Sequence, residues 1–358
     1  MKSAIPQQRK KSDGSLRLLL IAVGLFGALL AVLAFSTANA KKLNARTAET
    51  ASAAVQATLV QSILIQSAAS TPTAATPAGI AEPTVLITPA AEPSLPQPAA
   101  VSAAGLDPAD WKNWPVIPES VSQKMVDIYR SGIEQGNDPT AFSKVGDSNS
   151  VLPSFLACFD YGAQGYAIGN YSDLEAAIRQ FQWSFSRESR ATKIGITAFD
   201  LDVYHWYEDD VCWPYESATS CEYRLWKPSI AFIALGTNDA YMEIGIFEEH
   251  LRSLVQKTLD RAIVPILVTK ADNLEGDDSY NAVIARLAAE YEVPLWNLWR
   301  AMDPLPNHGL REQDVHPTSN DTSLCDFTGD DIQKYGWTVR NLTGLQALDR
   351  VWRLLNQS

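Results

Sequence analysis

The aromatic residues of this chain are distributed so unevenly that they fix where a folded domain can lie. All ten tryptophans, all twelve tyrosines and all four cysteines of the 358-residue sequence lie beyond residue 105. A segment that lacks tryptophan and tyrosine and repeats proline buries too little apolar surface to fold alone. We therefore expect one folded domain over residues 106–358, an ordinary size for a single core.

The first 40 residues combine a basic start with an apolar stretch. Residues 1–17 hold five basic residues and one acidic residue, and residues 18–35 carry no charge. This pattern predicts a cytoplasmic basic segment followed by a transmembrane signal anchor, since 18 residues at about 1.5 Å each nearly span a bilayer core. The alternative is a signal peptide that is removed at about residue 40, after Ala38-Asn39-Ala40. Both interpretations place the folded domain outside the cell, either held at the membrane or secreted.

The segment between the anchor and the domain differs from both in composition. Residues 41–105 are rich in alanine, threonine and proline, which predicts a flexible linker. Residues 1–105 carry eight basic and four acidic residues, so a chain of net charge −12 leaves −16 for the rest. A domain this acidic repels the phosphates of nucleic acid, and we expect no nucleic-acid partner.

Four cysteines in an exported domain predict two disulfides. Cys212 and Cys221 would close a short loop and form the first expected pair. Cys158 and Cys325 then remain for each other by elimination.

Short apolar runs alternate with amphipathic segments beyond residue 140. The predicted strands are residues 141–145, 229–235, 264–268 and 293–297. The predicted helices are residues 247–262, 281–291 and 344–355. This alternation predicts an α/β fold with a mostly parallel sheet and helices on both faces. In such folds the reactive loops follow the carboxyl ends of the strands.

A Gly146-Asp147-Ser148 motif follows the first predicted strand. A glycine and a polar pair at a strand end predict a tight turn and a helix start. The Ser148 hydroxyl would then lie at the sheet edge, with its own amide directed at a developing negative charge. The alternative is a helix N-cap with no chemical role.

Two more polar motifs follow later in the chain. Asn238 lies within Gly236–Asp239, directly after the most apolar strand, where its amide could donate to an oxyanion or merely cap a turn. His316, one of four histidines, lies between Asp314 and Pro317 in a polar loop. It is a candidate general base, and the alternative is an exposed loop histidine.

Together, GDS at 146–148, GTND at 236–239 and VHP at 315–317 resemble the SGNH/GDSL hydrolase family over roughly residues 140–355. The resemblance implies a flavodoxin-like, three-layer fold and a carboxylic-ester hydrolase with Ser148 as nucleophile and His316 as base. It also implies an oxyanion hole formed by the Ser148 amide, the Asn238 side chain and the amide of Gly195.

One position departs from the family pattern. The family places an acid three residues before the histidine, to orient the imidazole, and Gln313 stands there. Asp314 could take this role if the loop is shifted by one residue. Otherwise a weaker group orients His316.

These observations predict a serine hydrolase that acts on a small-molecule or polysaccharide ester, such as an O-acetyl group, at the cell surface. The resemblance implies no metal and no cofactor, and the sequence carries no motif for either. One alternative is a catalytically weak or inactive surface binding module on the same fold, which Gln313 favours. A further alternative is a lipid acyl hydrolase. The oligomeric state is left open.

Overall fold

The computed structural model describes residues 106–207, 210–320 and 323–357. The predicted anchor at 18–35 and linker at 41–105 lie outside this part of the chain. Within it, one sheet holds four parallel strands in the order β1-β2-β3-β4. The strands are β1 Asp138–Gly146, β2 Pro228–Ala234, β3 Val264–Val268 and β4 Leu295–Trp296. The predicted parallel sheet is therefore confirmed.

Helices and short 3-10 turns connect these strands. The α-helices of the described residues are α1 Gln123–Glu134, α2 Glu175–Gln180, α3 Ala198–Val203, α4 Ala218–Trp226, α5 Ile244–Leu259, α6 Ser279–Tyr291, α7 Leu298–Met302 and α8 Gly336–Asn356. The 3-10 segments are Pro108–Asn113, Ala157–Asp160, Gly162–Gln164, Ser172–Leu174, Asn238–Tyr241, Pro306–Gly309 and Asp330–Gln333.

The sheet is covered by two groups of helices. Helix α3 packs on α4 and α5, α5 packs on α6, and these helices reach β1 and β3. Helices α1, α2 and α7 pack on α8, and α1 and α8 reach β2, β3 and β4. All seven residues of β2 are buried, as a strand covered on both faces requires. This arrangement is consistent with the expected helices on both faces.

The register of the sheet brings the ends of its first two strands level. Gly146 at the end of β1 pairs with Ala234 at the end of β2. Between these strands Phe142 packs edge-on against Phe232, with ring centroids 5.9 Å apart. The loops that follow β1 and β2 therefore leave the sheet side by side, above a rigid aromatic core.

All three predicted helices have different bounds in the structure, and α6 begins at Ser279, two residues before its predicted start. Helix α5 ends at Leu259 rather than at residue 262, because Ala262 adopts a left-handed φ of 52° as the chain turns into β3. Helix α8 begins at Gly336, eight residues before the predicted start at 344. Its first turns bury polar residues such as Arg340 and Asn341, so they lack the apolar pattern of an ordinary amphipathic helix.

Both expected disulfides are present. Cys158 and Cys325 join segments 167 residues apart, and Cys212 and Cys221 close a short loop ahead of and within α4. In the described part of the chain, no helix combines the length and the apolar character that crossing a membrane demands.

Candidate active site

The turn after β1 holds Ser148. A Cβ atom on Gly146 would lie 2.4 Å from the Ser150 hydroxyl oxygen and 2.6 Å from the Ala234 carbonyl oxygen, so only glycine fits there. Asp147 accepts hydrogen bonds from the backbone N–H groups two and three residues later, at its side chain from Asn149 (2.9 Å) and at its carbonyl from Ser150 (2.9 Å). The turn is thus fixed around the half-buried Ser148.

The helix that we expected to start at this turn is absent. Residues 147–156 form turns and bends instead. Asp147 turns the chain tightly, and Pro153 has no backbone N–H with which to continue a helix. The prediction of a helix start was wrong, although the position of the Ser148 hydroxyl beyond the sheet edge does not depend on it.

The structure brings Ser148, His316 and Asp314 together. His316 Nε2 lies 2.8 Å from Ser148 Oγ, although 168 residues separate the two. On the other side of the ring, His316 Nδ1 lies 2.6 Å from Asp314 Oδ1. A hydroxyl, an imidazole and a carboxylate in this order can transfer the serine proton to the imidazole and stabilise the resulting cation.

Asp314, rather than Gln313, contacts the His316 ring because of the backbone before it. Gln313 has a left-handed φ of 52°, which turns the chain so that the next side chain folds back over the loop. The Asp314 carboxylate accepts hydrogen bonds from the N–H groups of Val315 (2.7 Å) and His316 (3.2 Å) as well as contacting the His316 ring. The contact with the ring holds the pKa of the Asp314 carboxyl below its usual range.

The loop after β2 carries Asn238. Its side-chain amide donates one hydrogen bond to the Ile196 carbonyl oxygen, at 2.9 Å. An amide nitrogen has two N–H groups, so the second can serve another acceptor. Gly195, the other predicted oxyanion donor, directly precedes Ile196 and is exposed with a φ of 77°. The structure therefore joins the segments that hold these two residues.

The Gly195 loop also contacts the turn that holds Ser148. The N–H of Lys193 donates to the Gly146 carbonyl oxygen at 3.2 Å, and Gly146 forms a parallel bridge with Thr192. All three predicted oxyanion donors thus lie on adjoining segments at the carboxyl ends of β1 and β2.

Asp239 is a residue that the sequence analysis did not single out. It is fully buried and accepts hydrogen bonds from the backbone N–H groups of Ala198 (2.8 Å) and Gly236 (3.1 Å). Burial raises the pKa of the Asp239 carboxyl to about 6, although both N–H donors lower it. Asp239 therefore fixes the Gly195 loop against the Asn238 loop. Its place beside Asn238 in the GTND motif was the available signal.

A second missed residue, Arg340, supports the turn that holds Ser148 from helix α8. Its buried guanidinium donates to the Asn149 carbonyl oxygen at 3.1 Å and lies over the Phe155 ring, 4.7 Å from the centroid. Burial raises the pKa of the Asp147 carboxyl to about 6, and the positive charge of Arg340 partly opposes this rise. Asn149 also donates to the Val315 carbonyl oxygen at 3.4 Å, which joins the turn to the His316 loop.

A small cavity lies behind these residues. Its volume is about 20 Å³, with room for about one water molecule. It is lined by the turn that holds Ser148, the strand ends and the His316 loop, including Asp147, Thr237, Lys270, Val315 and Arg340. Across the described residues, no group of three or more histidine, cysteine or acidic side chains is arranged to hold a metal ion.

Comparisons with known proteins give one family match and several similar structures. The GDSL-like Lipase/Acylhydrolase family model matches residues 220–320. No curated protein sequence matches the chain significantly. One similar solved structure is a GDSL-like lipase from Bacteroides thetaiotaomicron VPI-5482, at 14% identity and a TM-score of 0.38, covering 63% of this chain and 99% of that one. Another is an acetylxylan esterase from Geobacillus stearothermophilus, at 17% identity and a TM-score of 0.36, covering 58% and 94%.

The matched region begins in helix α4 and ends just beyond the His316 loop. It includes two of the three motifs on which the family resemblance was based, GTND at 236–239 and VHP at 315–317. The expected resemblance is confirmed over residues 220–320, which match the GDSL-like lipase/acylhydrolase family model.

Proposed function

We propose that this protein hydrolyses carboxylic esters through an acyl-enzyme formed on Ser148. The observation that carries the proposal is the continuous contact from Ser148 Oγ through the His316 ring to the Asp314 carboxylate, at 2.8 and 2.6 Å. These distances lie within the range over which a positioned base can accept a proton.

In the proposed reaction, Ser148 Oγ attacks the ester carbonyl carbon while its proton moves to His316 Nε2. The carbonyl oxygen becomes an oxyanion that is bound by the amides of Ser148 and Gly195 and by the second N–H of Asn238. Asp314 stabilises the imidazolium through Nδ1. His316 then gives its proton to the departing alkoxide, and the alcohol leaves an acyl-Ser148 ester.

Water completes the proposed cycle. His316 takes a proton from the water molecule, whose oxygen attacks the acyl carbon, and then returns the proton to Ser148 Oγ as the carboxylic acid departs. Apart from water, each step uses only the side chains and backbone amides named above.

The substrate and its location are further parts of the proposal. We infer export from the predicted anchor at 18–35, with removal of a signal peptide at about residue 40 as the alternative. An exported ester hydrolase has access to O-acyl groups on surface polysaccharides. We propose that the polysaccharide is the alcohol part of the ester substrate. Protease treatment of intact cells followed by an assay of the remaining activity tests the location.

A binding module without activity is the competing proposal. Its support in the sequence was Gln313, at the position where the family places an acid. The contact between Asp314 and His316 argues against it, because it provides a carboxylate from the next position.

The test uses a fluorophosphonate probe and p-nitrophenyl acetate on the full-length chain and on Ser148→Ala. We expect the probe to label the unchanged chain and the variant to lose both labelling and turnover. Ser150→Ala is the matched control, since that buried hydroxyl has no hydrogen-bond partner within the described residues. Labelling or turnover that persists in Ser148→Ala would disprove the proposal.

A further inference from the structure

Two exposed apolar side chains lie on the two loops that carry the predicted oxyanion donors. Ile194 is 72% exposed and directly precedes Gly195. Tyr241 is 80% exposed and follows Asn238 by three residues. Single exposed apolar residues are common on protein surfaces, so their position rather than their exposure is the informative feature. We refer to Ile194 and Tyr241 as the apolar rim.

Local geometry places the Tyr241 side chain on the same side of its loop as Asn238. Asn238–Tyr241 is a 3-10 segment, and side chains three residues apart in such a segment project from the same side. The Tyr241 ring therefore projects on the side of the Asn238 amide. The two loops are held together by the hydrogen bonds from Asn238 to Ile196 and from Ala198 to Asp239. These hydrogen bonds hold the two loops that carry the apolar rim in fixed positions.

Only one substituent of the tetrahedral intermediate is free to contact the apolar rim. Its central carbon carries Ser148 Oγ, the oxyanion, the leaving oxygen and the acyl chain. The leaving oxygen must lie near His316 Nε2, which is to protonate it. His316 comes from the loop that contacts Asn149, whereas the loop that bears Ile194 contacts Gly146. The remaining substituent, the acyl chain, is therefore directed to the side of the oxyanion donors.

On this basis, and resting on the function proposed above, we propose that Ile194 and Tyr241 bind the acyl part of the substrate and determine its length. The rim favours an apolar acyl chain longer than acetyl. The acyl chain of the substrate lies on the open protein surface, because the cavity behind the site has a volume of only about 20 Å³. A chain on an open rim buries part of its surface, so the selectivity is smaller than in an enclosed pocket.

The experiment compares acyl chains at a constant leaving group. The full-length chain and its variants are assayed with p-nitrophenyl acetate, butyrate and hexanoate. The measured quantity is the ratio of kcat/KM for hexanoate to that for acetate. We expect Tyr241→Ser and Ile194→Ser each to lower this ratio by about 3- to 10-fold, as loss of part of the apolar contact implies. Tyr241→Leu, which keeps an apolar side chain, should retain most of it.

Tyr215→Ser is the matched control, since Tyr215 is fully exposed and lies on neither loop. Its ratio should equal that of the unchanged chain. A second series holds the acyl group as acetate and varies the alcohol, with p-nitrophenyl and 4-methylumbelliferyl esters. If the rim variants change this discrimination and leave the chain-length ratio unchanged, the rim binds the alcohol and our proposal is wrong. An unchanged ratio in both series also overturns it.

Failure of the rim proposal can be told apart from failure of the proposed function. Turnover of acetate that persists in Ser148→Ala refutes the acyl-enzyme, whatever the rim variants do. Turnover that is lost in Ser148→Ala together with an unchanged chain-length ratio refutes only the rim.

Discussion

His316 Nδ1 lies 2.6 Å from Oδ1 of Asp314, the residue two positions before it in the chain. This spacing leaves room for one residue between the two, and their contact relies on the left-handed backbone of Gln313. The Asp314 side chain is about one-third exposed. The Asp314 carboxylate is held in place by hydrogen bonds from the backbone N–H groups of Val315 and His316 in the same loop.

We predict that Asp314→Asn lowers kcat by about 10² to 10⁴-fold, because the amide neither stabilises the imidazolium nor fixes the same tautomer. Steady-state turnover of p-nitrophenyl acetate measures the loss. Gln313→Gly is the control, since glycine adopts the left-handed backbone without strain and Gln313 is exposed. Equal losses in the two variants would show that the loop, and not the carboxylate, is what matters.

The pH dependence of stability should reveal the buried Asp239. Its pKa of about 6 in the folded protein exceeds the usual unfolded value of about 3.9. The folded state therefore binds more protons between about pH 4 and 6, and the contribution of this group to stability falls as the pH rises through that interval. The fall is on the order of 3 kcal/mol for a shift of about two units.

Asp239→Asn should remove this part of the pH dependence, measured by urea unfolding at pH 4, 5, 6 and 7. Glu248→Gln is the control. Hydrogen bonds from Arg286 lower the pKa of the Glu248 carboxyl to about 2, so its contribution is lost mainly below the interval examined. The same change in unfolding free energy between pH 4 and 6 in Asp239→Asn and in the unchanged chain would contradict the prediction.

The two disulfides should differ in their effect on stability. Cys158 and Cys325 are 167 residues apart, and Cys212 and Cys221 are nine apart. Constraint of the unfolded chain predicts about 5 kcal/mol for the long loop and about 3 kcal/mol for the short one. Unfolding of the two double-serine variants by guanidinium chloride, without reductant, measures both losses. A larger loss for the Cys212–Cys221 pair would show that native contacts, and not loop length, decide.

Most of the sheet could be predicted because its strands are uniform in environment. Val264–Val268 is buried at every position and its predicted bounds are those observed. A strand covered on both faces is a continuous apolar run, which the residue letters show directly. The first turns of α8 could not be predicted in this way. Asn341 is buried there because its side chain accepts a hydrogen bond from the N–H of Leu156, 185 residues away.

The site residues also divide into those that a local sequence pattern predicts and those that depend on distant contacts. Ser148, Asn238 and His316 were named from short motifs, and the structure places them on adjoining loops. Asp314 was only one possibility, since a left-handed φ at Gln313 is not visible in a residue that rarely adopts it. Arg340 gave no signal, because a charged residue inside a helix is usually exposed.

The long separation between Ser148 and its partners has a consequence for how the protein is made. The loop of His316 is synthesised 168 residues after Ser148, and Arg340 follows later still. A nascent chain that has not yet released these segments from the ribosome holds Ser148 without its contact to His316. If the proposed mechanism holds, the hydroxyl of Ser148 becomes reactive only after these segments have folded against it, and covalent labelling of this residue would report how many chains have completed folding.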